Sequence, residues 1–337
     1  MTVWLALVAA LSRHETLALQ VETSAGESIV VQSGESSTEI LGSSRLRPVS
    51  FSSDGRWLAA MRQRPQGEDL YLTDLAAAAP AAVKVVQRAS EPSWAPGGRR
   101  LTVSTAGNGI VTVDLSGSDP KVSDLLPLGS RPDWSPAGGR IAFLGSSKDK
   151  GVFVVNESGE SPRRVSFGLD PVWVGWSPDG RILATLATGK QSQGQPKLVL
   201  LVPGSTKTRI LKKLDGKWAS WAPDAKHLLS QDGKTIGVLD TIAGTWRAVE
   251  VDAEPRPQWV DSSTLAGVRD GRAVLVNWKK GTTNLQESGE GKVKSVAVLR
   301  GIRLEGSFSS PFGDVPSPKA GEVRLQGTLA QIHPMDG

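Results

Sequence analysis

Apolar positions along this chain come in short runs. Trp57-Leu58-Ala59-Ala60-Met61, Ile141-Ala142-Phe143-Leu144 and Ile182-Leu183-Ala184-Thr185-Leu186 are each four or five residues long and follow turns rich in Gly, Pro, Asp or Ser. Runs of that length between turn formers are the signature of strands, since helices need ten or more residues at 3.6 spacing. A second set follows each after a polar or Gly-rich turn: Asp69-Leu70-Tyr71-Leu72-Thr73, Ile110-Val111-Thr112-Val113-Asp114, Val152-Phe153-Val154-Val155 and Leu198-Val199-Leu200-Leu201-Val202. A shorter, more polar segment comes next, as in Arg163-Arg164-Val165-Ser166 and Arg209-Ile210-Leu211. The one Ala-rich run, Ala76 to Ala82, is broken by Pro80 and is too short for a stable helix.

The runs repeat. An aromatic residue, a small residue, a tight turn and a basic or polar residue precede the apolar strand at six places. These are Phe51-Ser52-Ser53-Asp54-Gly55-Arg56, Trp94-Ala95-Pro96-Gly97-Gly98-Arg99, Trp134-Ser135-Pro136-Ala137-Gly138-Gly139-Arg140, Trp176-Ser177-Pro178-Asp179-Gly180-Arg181, Trp221-Ala222-Pro223-Asp224-Ala225-Lys226 and the degenerate Trp259-Val260-Asp261-Ser262-Ser263. The aromatic anchors are spaced by 43, 40, 42, 45 and 38 residues. Proline sets φ at the first corner, Asp bonds its own backbone and Gly accepts positive φ, so each segment folds as a hairpin. Asp54, Asp179 and Asp224 recur at one turn position and read as turn formers.

Four strands per forty-odd residues, the outermost least apolar, predict an all-β chain folded as a β-propeller of four-stranded antiparallel blades. The anchor aromatics are expected to fill the wedges between adjacent blades. Residues 1–300 read as one propeller: a partial N-terminal blade over 1–44, six anchored blades over 45–290 and a closing strand over 291–300. In the partial blade Val3 to Leu11 matches a second strand, Thr16 to Val21 a third and Ser28 to Gln32 a fourth. The strand Lys292 to Leu299 is expected to pair with them and close the ring at seven blades. Six blades is the runner-up, and an N-terminus lying upstream of Met1 is a further alternative. Residues 301–337, with Pro311, Pro316, Pro318 and Pro334, read as an extended tail in which Glu322–Gln326 adds one edge strand.

The segment Trp176-Ser177-Pro178-Asp179-Gly180-Arg181-Ile182-Leu183-Ala184 resembles the repeat of TolB-like propellers, and also that of the propeller domain of prolyl oligopeptidase-type peptidases. The likeness runs from residue 47 to about 287 and weakens at Trp259, where the Pro-Asp-Gly turn is lost. It implies the fold and, through TolB-like proteins, a role in the bacterial cell envelope. It carries no reactive group, because the motif marks a hairpin.

Composition narrows the chemistry. There is no cysteine, so disulfides, thiolate metal sites and a cysteine nucleophile are excluded. The net charge of +5 comes from 39 basic and 34 acidic residues, and its densest clusters are only pairs, which reads as a solvated surface and not a nucleic-acid footprint. No run approaches the length of a membrane-spanning helix, and the apolar start Met1–Leu11 lacks the basic region of a signal peptide. His14, His227 and His333 have no partners at metal-ligand spacing, no Gly-x-Ser-x-Gly elbow is present, and no phosphate or calcium loop occurs. The expectation is a protein without catalytic residues, metal or cofactor.

Binding is expected at the central face, where propellers present their ligands. Three positions before the anchors stand Pro48, Glu91, Arg131, Trp173, Trp218 and Arg256; one position before stand Ser50, Ser93, Asp133, Gly175, Ser220 and Gln258. Arg and Trp are the usual anchors of interfaces. Glu91, Arg131, Asp133, Trp173, Trp218 and Arg256 are therefore the candidate site, and a protein or peptide the expected partner. Packing between blades is the alternative role for both tryptophans. The alternatives for function are the propeller portion of a larger peptidase or sensor and, with 11 Trp against one Tyr, a carbohydrate-binding propeller.

Overall fold

The computed structural model describes residues 16–33, 36–107, 109–189, 196–205, 208–285 and 291–299. Every regular element among them is a strand, and every strand pair is antiparallel. The Trp176 repeat shows the common plan. Leu169–Trp176, Leu183–Gly189, Lys197–Leu201 and Thr208–Lys213 form one sheet in that order. Its middle strands are covered on both faces, which is why Leu183, Ala184 and Leu186, and Leu198 to Leu201, are continuously apolar and buried. The last strand, Thr208–Lys213, faces solvent on one side and alternates exposed and half-buried residues.

The Trp134, Trp221 and Trp259 repeats give three more four-stranded sheets of the same order, while the Phe51 and Trp94 repeats share one seven-stranded sheet. The shared element is Val83–Trp94. As far as Ala89 it pairs with Gly67–Asp74 as an outermost strand; from Ala89 onward it pairs with Arg100–Thr105 as an innermost strand. Arg88 and Glu91 turn the chain between the two roles with φ of 50° and 54°. Divided there, the described strands resolve into seven four-stranded units.

The seventh unit is assembled from both ends of the chain. Lys292–Leu299 pairs with Thr16–Thr23, which pairs with Gly26–Ser33 and then Ser36–Glu39. Pairing of the closing strand with the N-terminal segment is as expected; the rank of the strands is not. Thr16–Thr23 is the second strand and Gly26–Ser33 the third, each one place further in than the sequence suggested. The fourth, Ser36–Glu39, is exposed along its whole length and has no apolar residue to announce it. Val3–Leu11, the tail beyond 300 and Glu322–Gln326 lie outside the described residues.

Seven apolar clusters hold the sheets together, each between two successive sheets. Leu17, Leu19, Val293 and Val296 of the closing blade pack on Ala266, Val268 and Leu275 of the Trp259 blade. On its other side Ile29, Val31 and Ala297 meet Phe51, Leu58 and Tyr71. Five further layers continue the ring through the Trp94, Trp134, Trp176, Trp221 and Trp259 blades. The chain thus forms a closed cycle of sheet-on-sheet contacts, which is a β-propeller.

The anchor turns carry out the local chemistry their residues imply. Gly55, Gly98, Gly138 and Gly180 each donate to the carbonyl three residues back, with φ between 67° and 76°. Asp179 Oδ1 accepts from Arg181 N at 3.2 Å, Asp54 Oδ1 from Arg56 N at 3.1 Å, and Asp224 Oδ1 from Lys226 N at 2.9 Å. The degenerate Trp259 turn keeps this device from an earlier position: Asp261 Oδ1 accepts from Ser263 N, Ser263 Oγ and Thr264 N at 2.6–2.8 Å.

Ala225 occupies the glycine position of its turn at φ 53°. A side chain there costs about 1–2 kcal/mol, of which the greater unfolded-state freedom of Gly offsets roughly half. Ala225→Gly should raise stability by about 0.5–1 kcal/mol in urea unfolding. Gly180→Ala should lower it by more than about 1 kcal/mol, because the new methyl group also meets Ser135 Oγ and Ala137 Cβ at 2.8 Å.

Burial pushes the Asp224 and Asp261 carboxyls up, but their hydrogen bonds outweigh it and hold both below the ordinary 3.8; for Asp224 the largest is from His227. A group depressed in the folded state stabilises fully above its unfolded value and loses that contribution as pH falls through the folded one. The melting temperature should therefore drop on acidification below about pH 4, and less steeply in an Asp224→Asn, Asp261→Asn double variant that starts from a lower value at neutral pH.

Candidate functional site

The seven innermost strands enclose one cavity of about 1020 Å³ on the propeller axis, lined by residues of every blade. Its walls are the anchors and their flanks, and its far end is a collar of Ser53, Pro96, Pro136, Pro178 and Pro223, each two residues after its anchor.

The residues before the anchors serve the ring. Trp94 Nε1 donates to Ser50 Oγ at 3.1 Å, Trp176 Nε1 to Asp133 O at 3.1 Å, Trp221 Nε1 to Gly175 O at 3.2 Å and Trp259 Nε1 to Ser220 O at 3.0 Å. Each indole thus reaches back to the preceding blade, one residue before that blade's anchor. Trp134 departs from the rule: its backbone N donates to Ser93 Oγ at 2.9 Å, and its Nε1 is buried without a hydrogen-bond partner. Asp133, a candidate ligand contact, is engaged here, its Oδ2 accepting from Trp176 N at 2.7 Å.

Gln258 is the long member of this set because the blade after it has no anchor. Its Oε1 accepts from Val298 N of the closing strand at 3.1 Å, and its Nε2 donates to Val49 O of the Phe51 blade at 3.0 Å. One side chain spans the joint where the two chain ends meet.

At the opposite end from the proline collar, Glu91, Trp173, Trp218 and Arg256 line the cavity mouth; Arg131 stands behind Glu91. Bulges interrupt the pairing of four inner strands just before the anchor, between Pro48 and Ser50, Ser90 and Ser93, Ser130 and Asp133, and Pro171 and Trp173. A bulge re-aims side chains. Glu91 and Arg131 both adopt left-handed φ, 54° and 51°, and pair at 3.4 Å. Glu91 also reaches Arg256 at 4.0 Å, linking three blades over the mouth. Trp218 is only 3% exposed, packed between the Trp221 and Trp259 blades, with the Arg256 guanidinium 5.8 Å above its ring. Trp173 is half-buried against the clusters on both sides of the Trp221 blade. Both tryptophans therefore pack between blades and still face the cavity.

Arg47, Glu68 and Lys294 also line this end. Arg47 pairs with Glu68 at 3.2 Å and Lys294 with Glu22 at 2.7 Å. Nothing before the structure pointed to them: Glu68 sits on a second hairpin, and Lys294 on the one inner strand with no anchor to count from. Among the described residues no cluster of His, Asp and Glu is arranged to hold a metal ion, and no helix is long and apolar enough to cross a membrane. His227 pairs with Asp224 at 2.7 Å and meets the Trp278 ring at 4.9 Å, tilted by 60°, at the edge of the Trp221 blade, joining it to the next.

No family and no curated protein matches the chain's sequence. Solved structures do match. Oligogalacturonate lyase from Vibrio parahaemolyticus aligns at 12% identity over 80% of this chain and 85% of its own, with a TM-score of 0.56. A puromycin-hydrolysing peptidase of Mycobacterium tuberculosis aligns at 16% identity and a TM-score of 0.54, over 83% of this chain and 54% of its own. TolB from Acinetobacter baumannii aligns at 16% identity over 85% of this chain and 66% of its own, with a TM-score of 0.48. The chain thus spans about half the length of the peptidase structure and just under two thirds of the TolB structure. At these identities the likeness is one of fold alone, and the β-propeller read from the repeat is borne out.

Removing an acceptor from the ring should cost stability. Asp133→Ala and Gln258→Ala are each expected to lose about 1–3 kcal/mol in urea unfolding, since each strands a buried backbone donor. In Gln258→Ala, hydrogen exchange should accelerate selectively in Lys292–Leu299 and Thr16–Thr23.

Proposed function

We propose that the chain is a non-catalytic propeller that binds a protein or peptide segment at the mouth of its axial cavity. The observation that carries this reading is the cavity itself: about 1020 Å³, walled by all seven inner strands, with Trp173, Trp218 and Arg256 together at the mouth. A space of that size suits a few side chains of an inserted segment. The mouth supplies half-buried aromatic surface beside exposed charge, the combination that dominates interface energetics. The lumen residues just before the anchors are engaged in holding blades together, so recognition falls to the mouth.

Peptides selected by display on the wild-type protein test this. Those that bind the mouth should lose at least about tenfold in affinity to Trp173→Ala and to Arg256→Glu, measured by calorimetry on variants with unchanged circular dichroism. Equal affinity for wild type and both variants would place the binding surface elsewhere.

A further inference from the structure

The mouth cations differ in how well they are paired. Lys294 and Arg47 each have a carboxylate of their own, at 2.7 and 3.2 Å. Arg131 and Arg256 share one, Glu91, whose Oε1 lies 3.4 Å from Arg131 Nη1 and whose Oε2 lies 4.0 Å from Arg256 Nη1. A well-made guanidinium–carboxylate pair closes to about 2.7–2.9 Å and is often two-pronged. Neither contact reaches that distance, and Arg131 Nη1 is buried without a hydrogen-bond partner. Two guanidiniums present ten N–H donors, and the one carboxylate between them satisfies them poorly.

The backbone holds this arrangement at a cost. Glu91 and Arg131 occupy the same place in successive blades, and each is a non-glycine residue in the left-handed region. Such conformations persist where the surrounding fold enforces them and tend to gather at working sites. The third partner, Arg256, comes from the far side of the axis and lies over Trp218. Two cations from separate blades thus converge on one carboxylate, one of them over an aromatic ring.

Resting on the reading that a peptide occupies the mouth, we propose that Arg131 and Arg256 receive a peptide carboxylate, which displaces Glu91 from between them. The carboxylate is a free C-terminus or an Asp or Glu side chain, and the adjoining residue lies against Trp173. Glu91 is then the internal stand-in for the ligand, keeping the two cations in place when the mouth is free. Binding exchanges a loosely made internal pair for a two-pronged external one. Glu254, exposed at the same mouth, keeps the surrounding potential from being uniformly positive, so recognition depends on the placed guanidiniums more than on a general attraction.

The test uses a synthetic array of random dodecapeptides, each made with a free C-terminal carboxylate and as the amide, with and without internal Asp or Glu. The full chain and three variants are applied, with melting temperatures as the control for folding. Binders should require a carboxylate, and Arg131→Gln and Arg256→Gln should each weaken them at least about tenfold. Glu91→Gln should tighten them by about three- to tenfold, because the internal competitor is gone while the fold is kept. Loss of an internal pair that merely supports structure has no route to tighter binding. Peptides that bind equally as amides lacking Asp and Glu, and indifferently to Glu91→Gln, would overturn the carboxylate assignment and leave peptide binding standing. No binder for either wild type or Glu91→Gln would overturn both readings. Oligogalacturonate is spotted on the same array, and its arginine-dependent binding with no peptide bound would overturn the peptide source.

Discussion

The constraint on which this structure depends is that each sheet must bury both faces against neighbours, and only a closed ring provides neighbours for all. The middle strands bury apolar residues on both faces, so no blade is stable alone. The anchor aromatic sets the spacing. Trp134, Trp176, Trp221 and Trp259 each pack into the cluster shared with the preceding blade. Three of the four also send an indole N–H to that blade, as does Trp94. Packing and hydrogen bonding thus act between the same pairs of blades, and the wedge angle follows from both.

That arrangement divides the labour around the axis. Positions immediately before the anchors must offer an acceptor to the next blade, which accounts for Ser50, Asp133, the carbonyls of Gly175 and Ser220, and the amide of Gln258. Positions beyond the bulge have no such duty. There Glu91, Arg131, Trp173, Trp218 and Arg256 vary in charge and size, and the first three stand at bulges. Arginines of the hairpins extend the same inter-blade theme outward: Arg100 lies over the Trp134 ring at 5.1 Å, and Arg140 over the Trp176 ring at 4.9 Å. Recognition at the mouth and cohesion of the ring are therefore carried by residues a few positions apart on the same strands.

Much of this was legible beforehand, and the exceptions have physical causes. The hairpin turns were readable because Pro, Asp and Gly act locally, through φ and through an Asp carboxylate reaching its own backbone. The degenerate Trp259 turn was readable as a repeat although Asp261 works from another position. The strand ranks of the closing blade shift because the apolar segment Val3–Leu11 reads as its second strand, while the true fourth strand, Ser36–Glu39, carries no apolar residue to announce it. Asp133 is a candidate ligand contact from its position before an anchor, and its carboxylate also accepts from a backbone N–H 43 residues away. No spacing rule exposes such a partner, since it belongs to the next blade.

By itself the amino-acid order determined the repeat, the four strands in each unit, the turn chemistry and the identity of the wedges, because all of these act within forty-odd residues of one another. Tertiary structure alone decided which residues meet across the axis. Glu91 and Arg256 are 165 positions apart, and Gln258 and Val49 are 209. Contacts of that kind exist only once the ring has closed, since closure, and not local preference, sets the distance between blades that are not neighbours in the chain.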